Sequence, residues 1–88
     1  MKTPVYSTRF KKEYKLSQKR GFDLGKIDSI ISDLVNEIPL SPNNKDHDLI
    51  GDYVGCRECH ILADWLLIYK IDNGDIVFLR TGRHTDLF

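Results

Sequence analysis

Residues 56–60 read Cys-Arg-Glu-Cys-His, and this short stretch carries residue types that support two kinds of chemistry. The spacing matches C-x-x-C-H, the pattern of covalent c-type haem attachment, and paired thiolates are common ligands of structural zinc. The same stretch places an acid, Glu58, two residues before His60, and such side chains move protons at a substrate. The first question is whether the stretch holds a cofactor or does acid–base chemistry.

The rest of the sequence argues against a haem or a metal at the two cysteines. A c-type haem needs export and usually a second axial ligand, yet Met1 is the only methionine and "MKTPVYSTRFKKEYK" has no apolar signal region. A structural zinc typically takes two spaced ligand pairs, and only one pair is present. In a strand, Cys56 and Cys59 point to opposite faces and cannot chelate one ion. We therefore expect no metal or cofactor, and reduced cysteines that pack as small apolar residues.

The same alternation places Glu58 and His60 together on one face of a strand. In the last apolar run, "DIVFLRTG" at 75–82, strict alternation predicts that Phe78 and Arg80 share a face and that Leu79 lies on the other. Further candidates come from the polar loop before the strands and from the last residues of the sequence. The set that we expect around one end of a sheet is His47, Glu58, His60, Arg80 and His84.

Such a set suits RNA cleavage without a metal. The 2′-hydroxyl must lose a proton, and the 5′-oxygen must gain one to leave. Histidine and glutamate exchange protons near neutral pH. An arginine, which keeps its proton, stabilises the charge of the phosphorane with a fork that matches phosphate oxygens. Trp65 and Phe88 are candidates for stacking on splayed-out bases.

Simpler explanations are open for each of these residues. A single histidine is most often a surface or structural residue, and Arg80 could be an ion-pair partner of Glu58. Trp65 begins an apolar strand, where a core position is common. Tyr69 and Phe78 are core residues by default. Composition and spacing alone therefore leave the nuclease as one hypothesis among several.

The elements that must position these residues begin with a short strand, "TPVYS" at 3–7, followed by two helices. The first starts after an N-cap at Ser7 or Thr8 and stops at Gly21, with an inner stripe of Phe10, Tyr14, and Leu16 or Ser17. The second has Asp23 as its N-cap, and Pro39 and Pro42 are expected to end it. Its apolar stripe is Leu24, Ile27, Ile30, Ile31, Leu34, Val35 and Ile38.

After the helices the pattern changes to strands. Residues 40–53 are rich in Pro, Asn, Asp and Gly and predict a loop. Strands are predicted at 55–62, 65–71 and 75–82, and Asn73-Gly74 predicts a hairpin turn between the last two. The tail "RHTDLF" is too short for another element. We expect one α+β domain over 1–88, with two N-terminal helices packed on a small, mainly antiparallel sheet in the order β-α-α-β-β-β.

The net charge of zero hides an uneven distribution. Residues 1–26 hold eight Lys or Arg and two acids, which gives +6, whereas residues 27–88 hold five bases and eleven acids, which gives −6. A basic first helix is either a solvated face or a surface that meets nucleic-acid phosphates. Its candidates for phosphate contact are Lys11, Lys12, Lys15, Lys19 and Arg20. With no signal peptide and no apolar stretch long enough to span a bilayer, we expect a cytoplasmic protein that does not bind membranes.

Two segments together resemble a known family. "KDHDLIGDYVGCRECHILADWLLIYKI" and "FLRTGRHTDLF" are similar to the YafQ branch of the RelE/ParE toxin superfamily. The shared pattern is K-D-H-x-L-x-G, an R-[DE]-x-H strand, D-W-[IL]-L-I-Y-K, and R-T-G-x-H-x-x-L-F. The resemblance covers the whole chain, because the first strand and the two helices also fit that layout. It is the ordered combination that is specific.

The resemblance implies the toxin half of a type II toxin–antitoxin pair. Members enter the ribosomal A site and cut mRNA without a metal, leaving a cyclic phosphate and a 5′-hydroxyl. A cognate antitoxin silences them, and they reach operator DNA only indirectly, through the antitoxin complex. The alternative within the same fold is a toxin without nuclease activity that resembles the ParE branch, which targets DNA gyrase.

The resemblance also implies roles for individual residues. His84 is implied as the general acid, Arg80 as the phosphate stabiliser, and His47 and His60 as base or positioning residues. The D-W positions are Asp64 and Trp65, and Phe88 closes the last motif.

Two residues depart from the family pattern. Glu58 stands where the pattern often has Asp, so its carboxylate reaches one methylene further. Arg83 fills a variable position and adds a second cation beside His84.

The resemblance further implies that the basic first helix faces ribosomal RNA.

Overall fold

Five strands form one mixed sheet in the computed structural model, which describes residues 1–88. They are β1 (Thr3–Tyr6), β2 (His47–Asp48), β3 (Arg57–Leu62), β4 (Trp65–Asp72) and β5 (Asp75–Gly82). Their order across the sheet is β1-β5-β4-β3-β2, with β1 parallel to β5 and every other pair antiparallel. Asn73 adopts a left-handed conformation (φ 55°) in the two-residue turn between β4 and β5, and a positive φ at this first position is common to both favoured types of two-residue hairpin turn. The predicted α+β class and the hairpin are confirmed.

Two long helices pack on one face of this sheet, and their caps are those predicted. Helix α1 (Thr8–Lys19) begins where the Ser7 side chain accepts a hydrogen bond from the Phe10 amide. Helix α2 (Leu24–Val35) begins where Asp23 accepts one from the Gly25 amide. On the inner side of α1, Ser17 is buried, whereas Leu16 is 43% exposed. The inner stripe of α1 therefore passes through Ser17.

The end of α2 differs from the prediction, because no proline terminates it. The helix stops at Val35, and Glu37 takes a left-handed conformation (φ 59°). The Ile38 amide then donates to the Asp33 carbonyl at 2.8 Å. This bond satisfies a helix carbonyl that would otherwise lack a partner, so a backbone C-cap ends the helix before Pro39 is reached.

The polar segment 40–53 is more ordered than the predicted loop. It contains two single 3₁₀ turns, Pro42–Asn44 and Gly51–Tyr53, on either side of β2. Strand β2 pairs with β3 through His47 opposite Glu58 and Asp48 opposite Arg57. Two residues are too few for an alternating pattern, so β2 left no signal in the sequence.

The tail also forms an element that was not predicted, the helical turn α3 (His84–Leu87). The Arg83 amide donates to the Asp86 carboxylate at 2.9 Å and closes the first turn. Leu87 is 5% exposed and packs with Leu66 and Ile68. A side-chain cap and the packing of one apolar side chain therefore order a segment that is too short to show a helical pattern in the sequence.

Strand β4 is buried on both faces, which explains the unbroken apolar run "WLLIY". Trp65, Leu67 and Tyr69 face α1 and α2 and belong to the main core. Leu66 and Ile68 face the other way and form a second, smaller cluster with Leu87. Central strands covered on both sides show this continuous pattern. The two cysteines divide in the same way, because Cys59 lies in the main core and Cys56 packs against the smaller cluster.

A bulge in β5 changes which of its residues share a face of the sheet, relative to the prediction. Ile68 is paired with Arg80, but the next pair is Tyr69 with Phe78, so Leu79 is an extra residue. The prediction that Phe78 and Arg80 share a face is therefore wrong. Phe78 faces the helices, and Arg80 lies on the opposite face of the sheet. Bulges re-aim side chains in this way.

Helix α1 covers the part of β5 that β1 leaves open. The Ser7 amide donates to the Phe78 carbonyl at 3.0 Å, and the Ser7 hydroxyl donates to the Leu79 carbonyl at 2.9 Å. Further along, the Thr81 amide points to the Glu13 carboxylate at 3.4 Å. The strand edge is thereby protected from pairing with another chain. None of the helices is long and apolar enough to cross a membrane.

Candidate active site

The face of the sheet opposite α1 and α2 carries a row of four directly paired residues, one on each of four adjacent strands. His47 is opposite Glu58, Glu58 is opposite Ile68, and Ile68 is opposite Arg80. With strands about 4.8 Å apart, the row spans roughly 14 Å. The topology therefore places two histidine-bearing strands and the arginine on one face, although they are distant in sequence.

One end of this face holds the histidine cluster, made of His47, Glu58 and His60. The Nε2 atoms of His47 and His60 lie 3.6 and 3.7 Å from the same oxygen, Oε1 of Glu58. The two imidazole rings are 6.4 Å apart, and Glu58 is only 6% exposed. Its other oxygen, Oε2, is buried without a hydrogen-bond partner. A proton held on either Nε2 atom faces this carboxylate, which can stabilise or accept it.

The orientation of His47 is fixed from its other nitrogen. Nδ1 lies 2.6 Å from the Lys45 carbonyl oxygen. A carbonyl only accepts, so Nδ1 carries the proton and Nε2 is the atom that can exchange one. His60 is held through its backbone, where the Asn44 side-chain amide donates to the His60 carbonyl at 2.8 Å.

Arg57 binds the residues on both sides of His47, an arrangement called here the Arg57 clamp. Its side chain lies on the face of the sheet that α1 and α2 cover. Its guanidinium donates to Asp48 at 2.6 Å and to Asp46 at 3.3 Å, and its second ion-pair contact with Asp46 is 3.2 Å. The Tyr69 hydroxyl donates to Asp46 at 2.5 Å. The hydrogen bond with Asp46 is the main cause of a raised Arg57 pKa, and burial followed by the bond to Asp46 raises the pKa of Tyr69. Side chains thereby anchor a two-residue strand.

The other end of the face holds the C-terminal cluster, made of Tyr53, Arg80, His84 and Phe88. Arg80 is 8% exposed and forms an ion pair with Glu13 of α1, with Nη2 2.6 Å from Oε2 and Nε 3.0 Å from Oε1. The alternative that Arg80 pairs with Glu58 is therefore wrong. The hydrogen bond with Glu13 is the main cause of a raised Arg80 pKa.

Most donors of Arg80 are already used. Besides Glu13, Nη1 donates to the Tyr53 hydroxyl at 2.9 Å and Nη2 to the Asp86 carbonyl at 3.3 Å. A guanidinium has five N–H groups, and these contacts engage four of them, which leaves one on Nη1. Arg80 thus offers a phosphate a fixed charge and a single free donor.

Aromatic rings extend the C-terminal cluster toward solvent. The Phe88 ring is 5.1 Å from the His84 ring and stands edge-on to Tyr53 at 5.6 Å. Phe88 is 55% exposed, and His84 is exposed as well. These two side chains are therefore accessible to a substrate.

Asp64 and Asp86 fix the turn that carries His84. The His84 amide donates to the Asp64 carboxylate at 3.0 Å. Asp86 accepts from Arg20 of α1 at 2.7 Å, and this bond lowers the pKa of Asp86 to about 2. A Cβ on Gly82 would lie 3.1–3.2 Å from the Asp86 side chain, so the glycine gives the carboxylate room. Arg20, expected to contact RNA, is thus engaged within the protein.

Trp65 lies in the core and not at the surface. It is 2% exposed, its Nε1 donates to the Thr81 hydroxyl at 3.0 Å, and its ring packs 4.9 Å from Phe22. The expectation that it stacks on a base is therefore wrong, because the ring faces the helices. Thr81 in turn donates to the Leu66 carbonyl at 2.8 Å. Trp65 acts on the site only by fixing β4 and β5.

Four lysines of α1 are exposed and form no salt bridge: Lys11, Lys12, Lys15 and Lys19. Arg83 is also accessible, with a side chain that is 47% exposed beside Asp86. The four lysine charges of α1 are thus presented to solvent along one helix.

Sequence reasoning missed three residues of this site, Glu13, Tyr53 and Arg57. Glu13 had a signal, because it is the one acid of a basic helix and lies on the stripe of Phe10 and Ser17. Tyr53 and Arg57 had none, since their partners depend on the path of segment 40–53. The two clusters are not joined by a hydrogen bond or salt bridge, and Leu66 and Ile68 lie on this face between them.

Comparisons with known proteins agree with this fold and identify a family. Residues 2–88 match the model of a family described as the bacterial toxin of type II toxin–antitoxin systems, YafQ. The mRNA interferase toxin YafQ of Escherichia coli K12 is 42% identical over 84 residues, which cover 94% of this chain and 91% of that protein.

Solved structures give the same result. The crystal structure of YafQ from E. coli BL21(DE3) superposes with a TM-score of 0.94 at 38% identity, covering 100% of this chain and 99% of that one. The toxin in the crystal structure of the E. coli DinJ–YafQ complex gives 0.93 at 39% identity, with the same coverage. The chain belongs to the YafQ family of bacterial toxins of type II toxin–antitoxin systems.

Proposed function

We propose that this toxin is an mRNA interferase, an endoribonuclease that cuts mRNA in the ribosomal A site and is neutralised by a cognate antitoxin. The observation that carries the proposal is the arrangement of His47, Glu58, His60 and Arg80 on one face of the sheet, with His84 on the turn after β5. The E. coli relative at 42% identity is named an mRNA interferase, which supports the same activity.

The histidine cluster is suited to the first proton transfer. The 2′-oxygen attacks the adjacent phosphorus as its proton passes to Nε2 of His47 or His60. The resulting imidazolium lies 3.6–3.7 Å from the Glu58 carboxylate, which stabilises it. A buried carboxylate serves this purpose better than an exposed one, because water screens the attraction less. Glu58 is thus a positioning residue for both histidines.

The C-terminal cluster is suited to the second transfer. As the bond between phosphorus and the 5′-oxygen breaks, the exposed His84 donates a proton to that oxygen. The products are a 2′,3′-cyclic phosphate and a 5′-hydroxyl. Arg80 contributes its fixed charge and its free N–H to the phosphorane, and Arg83 adds a second cation at the surface. Phe88 is the exposed ring available to stack on a base.

Two observations support the proposed partners: the exposed lysines of α1 and the solved complex of a relative with its antitoxin. The free lysines of α1 meet ribosomal RNA phosphates, where each contact releases counterions. The DinJ–YafQ complex supports a cognate antitoxin for this toxin as well. Contact with DNA is then indirect, through the antitoxin complex. An activity on translating ribosomes places the protein in the cytoplasm.

The test adds the purified toxin to a translation reaction and maps the 5′ ends of the mRNA. We expect new ends within A-site codons, present with the wild-type protein and lost with His84→Ala. Thr85→Ala, in the same helical turn and exposed, is the matched control and should cut normally. Intact mRNA in the presence of ribosomes would contradict the proposal and favour an inhibitor of the ParE kind.

A further inference from the structure

The hydrogen bond between Arg80 and the Tyr53 hydroxyl can run in only one direction. The hydroxyl oxygen lies 2.9 Å from Nη1 of Arg80. An arginine side chain has no acceptor, so the phenol oxygen must accept this bond. The phenol hydrogen then has no acceptor within the protein, because no other hydrogen bond involves this hydroxyl. The hydroxyl is thus a donor with an unused proton.

The position of Tyr53 is fixed by its surroundings. Its ring is half-buried, packs against the small cluster of Leu66, Ile68 and Leu87, and meets Phe88 edge-on at 5.6 Å. Its carbonyl accepts from the Cys56 amide at 3.0 Å, which ties the 3₁₀ turn to the start of β3. A side chain held by packing and by a charged partner keeps its hydroxyl in place.

We propose that Tyr53 is a catalytic residue that donates its O–H to a non-bridging oxygen of the scissile phosphate. The proposal rests on the proposed function, and it adds a residue that the family motifs do not include. Arg80 polarises the phenol by donating to it, which makes the phenol a stronger donor. Tyr53 thereby extends the influence of a guanidinium whose own donors are mostly taken by Glu13 and Asp86.

The chemistry requires no covalent bond to Tyr53. As the 2′-oxygen attacks, negative charge grows on the two non-bridging oxygens, and a donor aimed at one of them lowers the barrier. Removing one such preorganised donor from an enzyme typically slows catalysis by about 100- to 1,000-fold. The ring of phenylalanine keeps the packing against Leu87 and Phe88 and removes only the hydroxyl.

The first measurement is the single-turnover rate of mRNA cleavage on programmed ribosomes with Tyr53→Phe. We expect a fall of about 100-fold with unchanged ribosome binding. The thermal midpoint should fall by several degrees, because the buried Arg80 guanidinium loses one hydrogen-bond acceptor. Tyr14→Phe is the matched control, since it removes a hydroxyl bonded to Asp28 at 2.7 Å far from the sheet face. That variant should cut at the wild-type rate.

The second measurement separates contact with the phosphate from a structural role. The mRNA carries a single phosphorothioate at the cut linkage, with sulfur, a poor acceptor, in place of one non-bridging oxygen. For one diastereomer we expect the wild-type rate to drop and the Tyr53→Phe rate to be insensitive to sulfur. Two results would overturn the inference alone. One is a Tyr53→Phe toxin that cuts as fast as wild type. The other is a Tyr53→Phe toxin whose rate falls with sulfur as much as the wild-type rate does, for each of the two diastereomers. Wild-type toxin that leaves mRNA intact would overturn the proposed function and the inference with it.

Discussion

Arg80 on β5 and Glu13 on α1 form an ion pair with a shortest distance of 2.6 Å, across 67 positions of sequence. The arginine implied as the phosphate stabiliser is therefore neutralised and oriented by an acid on the basic helix. Both side chains are largely buried, at 9% and 15% exposure. The same helix that presents lysines to solvent thus also fixes the charge inside the site.

Removing the acid should destabilise the fold. Glu13→Ala leaves the Arg80 guanidinium buried without its counter-ion, and breaking such a pair costs about 3–5 kcal/mol. We expect a loss of this order in the free energy of unfolding, measured by urea denaturation. Gln18→Ala, exposed on the same helix, should change it by less than about 0.5 kcal/mol. A loss below about 1 kcal/mol for Glu13→Ala would show that Arg80 does not depend on the pair.

The Arg57 clamp should matter for His47 more than for the fold. In Arg57→Ala, Asp46 and Asp48 lose their shared partner, so β2 detaches from β3 more often. We expect faster amide hydrogen exchange at residues 47 and 48 and slower mRNA cleavage, with the main core still protected. Arg57→Lys should rescue only part of the rate, because an ammonium lacks the fork that spans two carboxylates. Lys70→Ala, an exposed change on β4, is the control. Normal cleavage by Arg57→Ala would contradict the clamp.

Acid should release the turn that carries His84. The pKa of Asp86 is about 2 in the folded protein against an ordinary 3.8. A lowered folded-state pKa adds stability that is present above the ordinary value and is lost as the pH falls toward 2. The stability difference between wild type and Asp86→Asn should therefore be constant above about pH 5 and shrink below pH 4. Asp52→Asn, exposed in a 3₁₀ turn, is the control. A difference that stays constant down to pH 2 would refute the role of the Arg20–Asp86 pair.

Charge reversal on α1 should weaken ribosome binding. Lys11→Glu with Lys12→Glu removes two exposed cations, so affinity should fall and the slope of log affinity against log salt should decrease by about one to two. The matched control is Lys26→Glu with Lys70→Glu, which changes the net charge equally at exposed positions elsewhere. Equal losses from both pairs would mean that net charge alone matters, and no loss from the first pair would exclude α1 as the contact.

Most of the fold could be predicted from the sequence, because the local signals for helices and turns agree with the way these elements pack. Ser7 and Asp23 cap the helices as predicted, Asn73-Gly74 forms the hairpin, and Ile27 and Ile30 face the core. Each of these signals lies within a few residues of the element that it specifies. Such features can be predicted without knowing the rest of the chain.

The site could be predicted only in part, because its geometry depends on irregular backbone. The bulge at Leu79 moves Arg80 to the face of Glu58, and alternation cannot reveal an inserted residue. The pairing of His47 with Glu58 needs a strand of two residues. Stacking on a base and a core position were both open for Trp65, with the core position the commoner one, and the burial of β4 on both faces decides for the core.

The most direct test of the account uses mRNA with a single 2′-deoxynucleotide on the 5′ side of the cut linkage, on programmed ribosomes. If the histidine cluster removes the proton of that 2′-hydroxyl, cleavage at the linkage should cease while ribosome binding is unchanged. A deoxynucleotide one position downstream, which leaves the attacking hydroxyl in place, should allow normal cutting. Cleavage that persists without the 2′-hydroxyl would contradict the account.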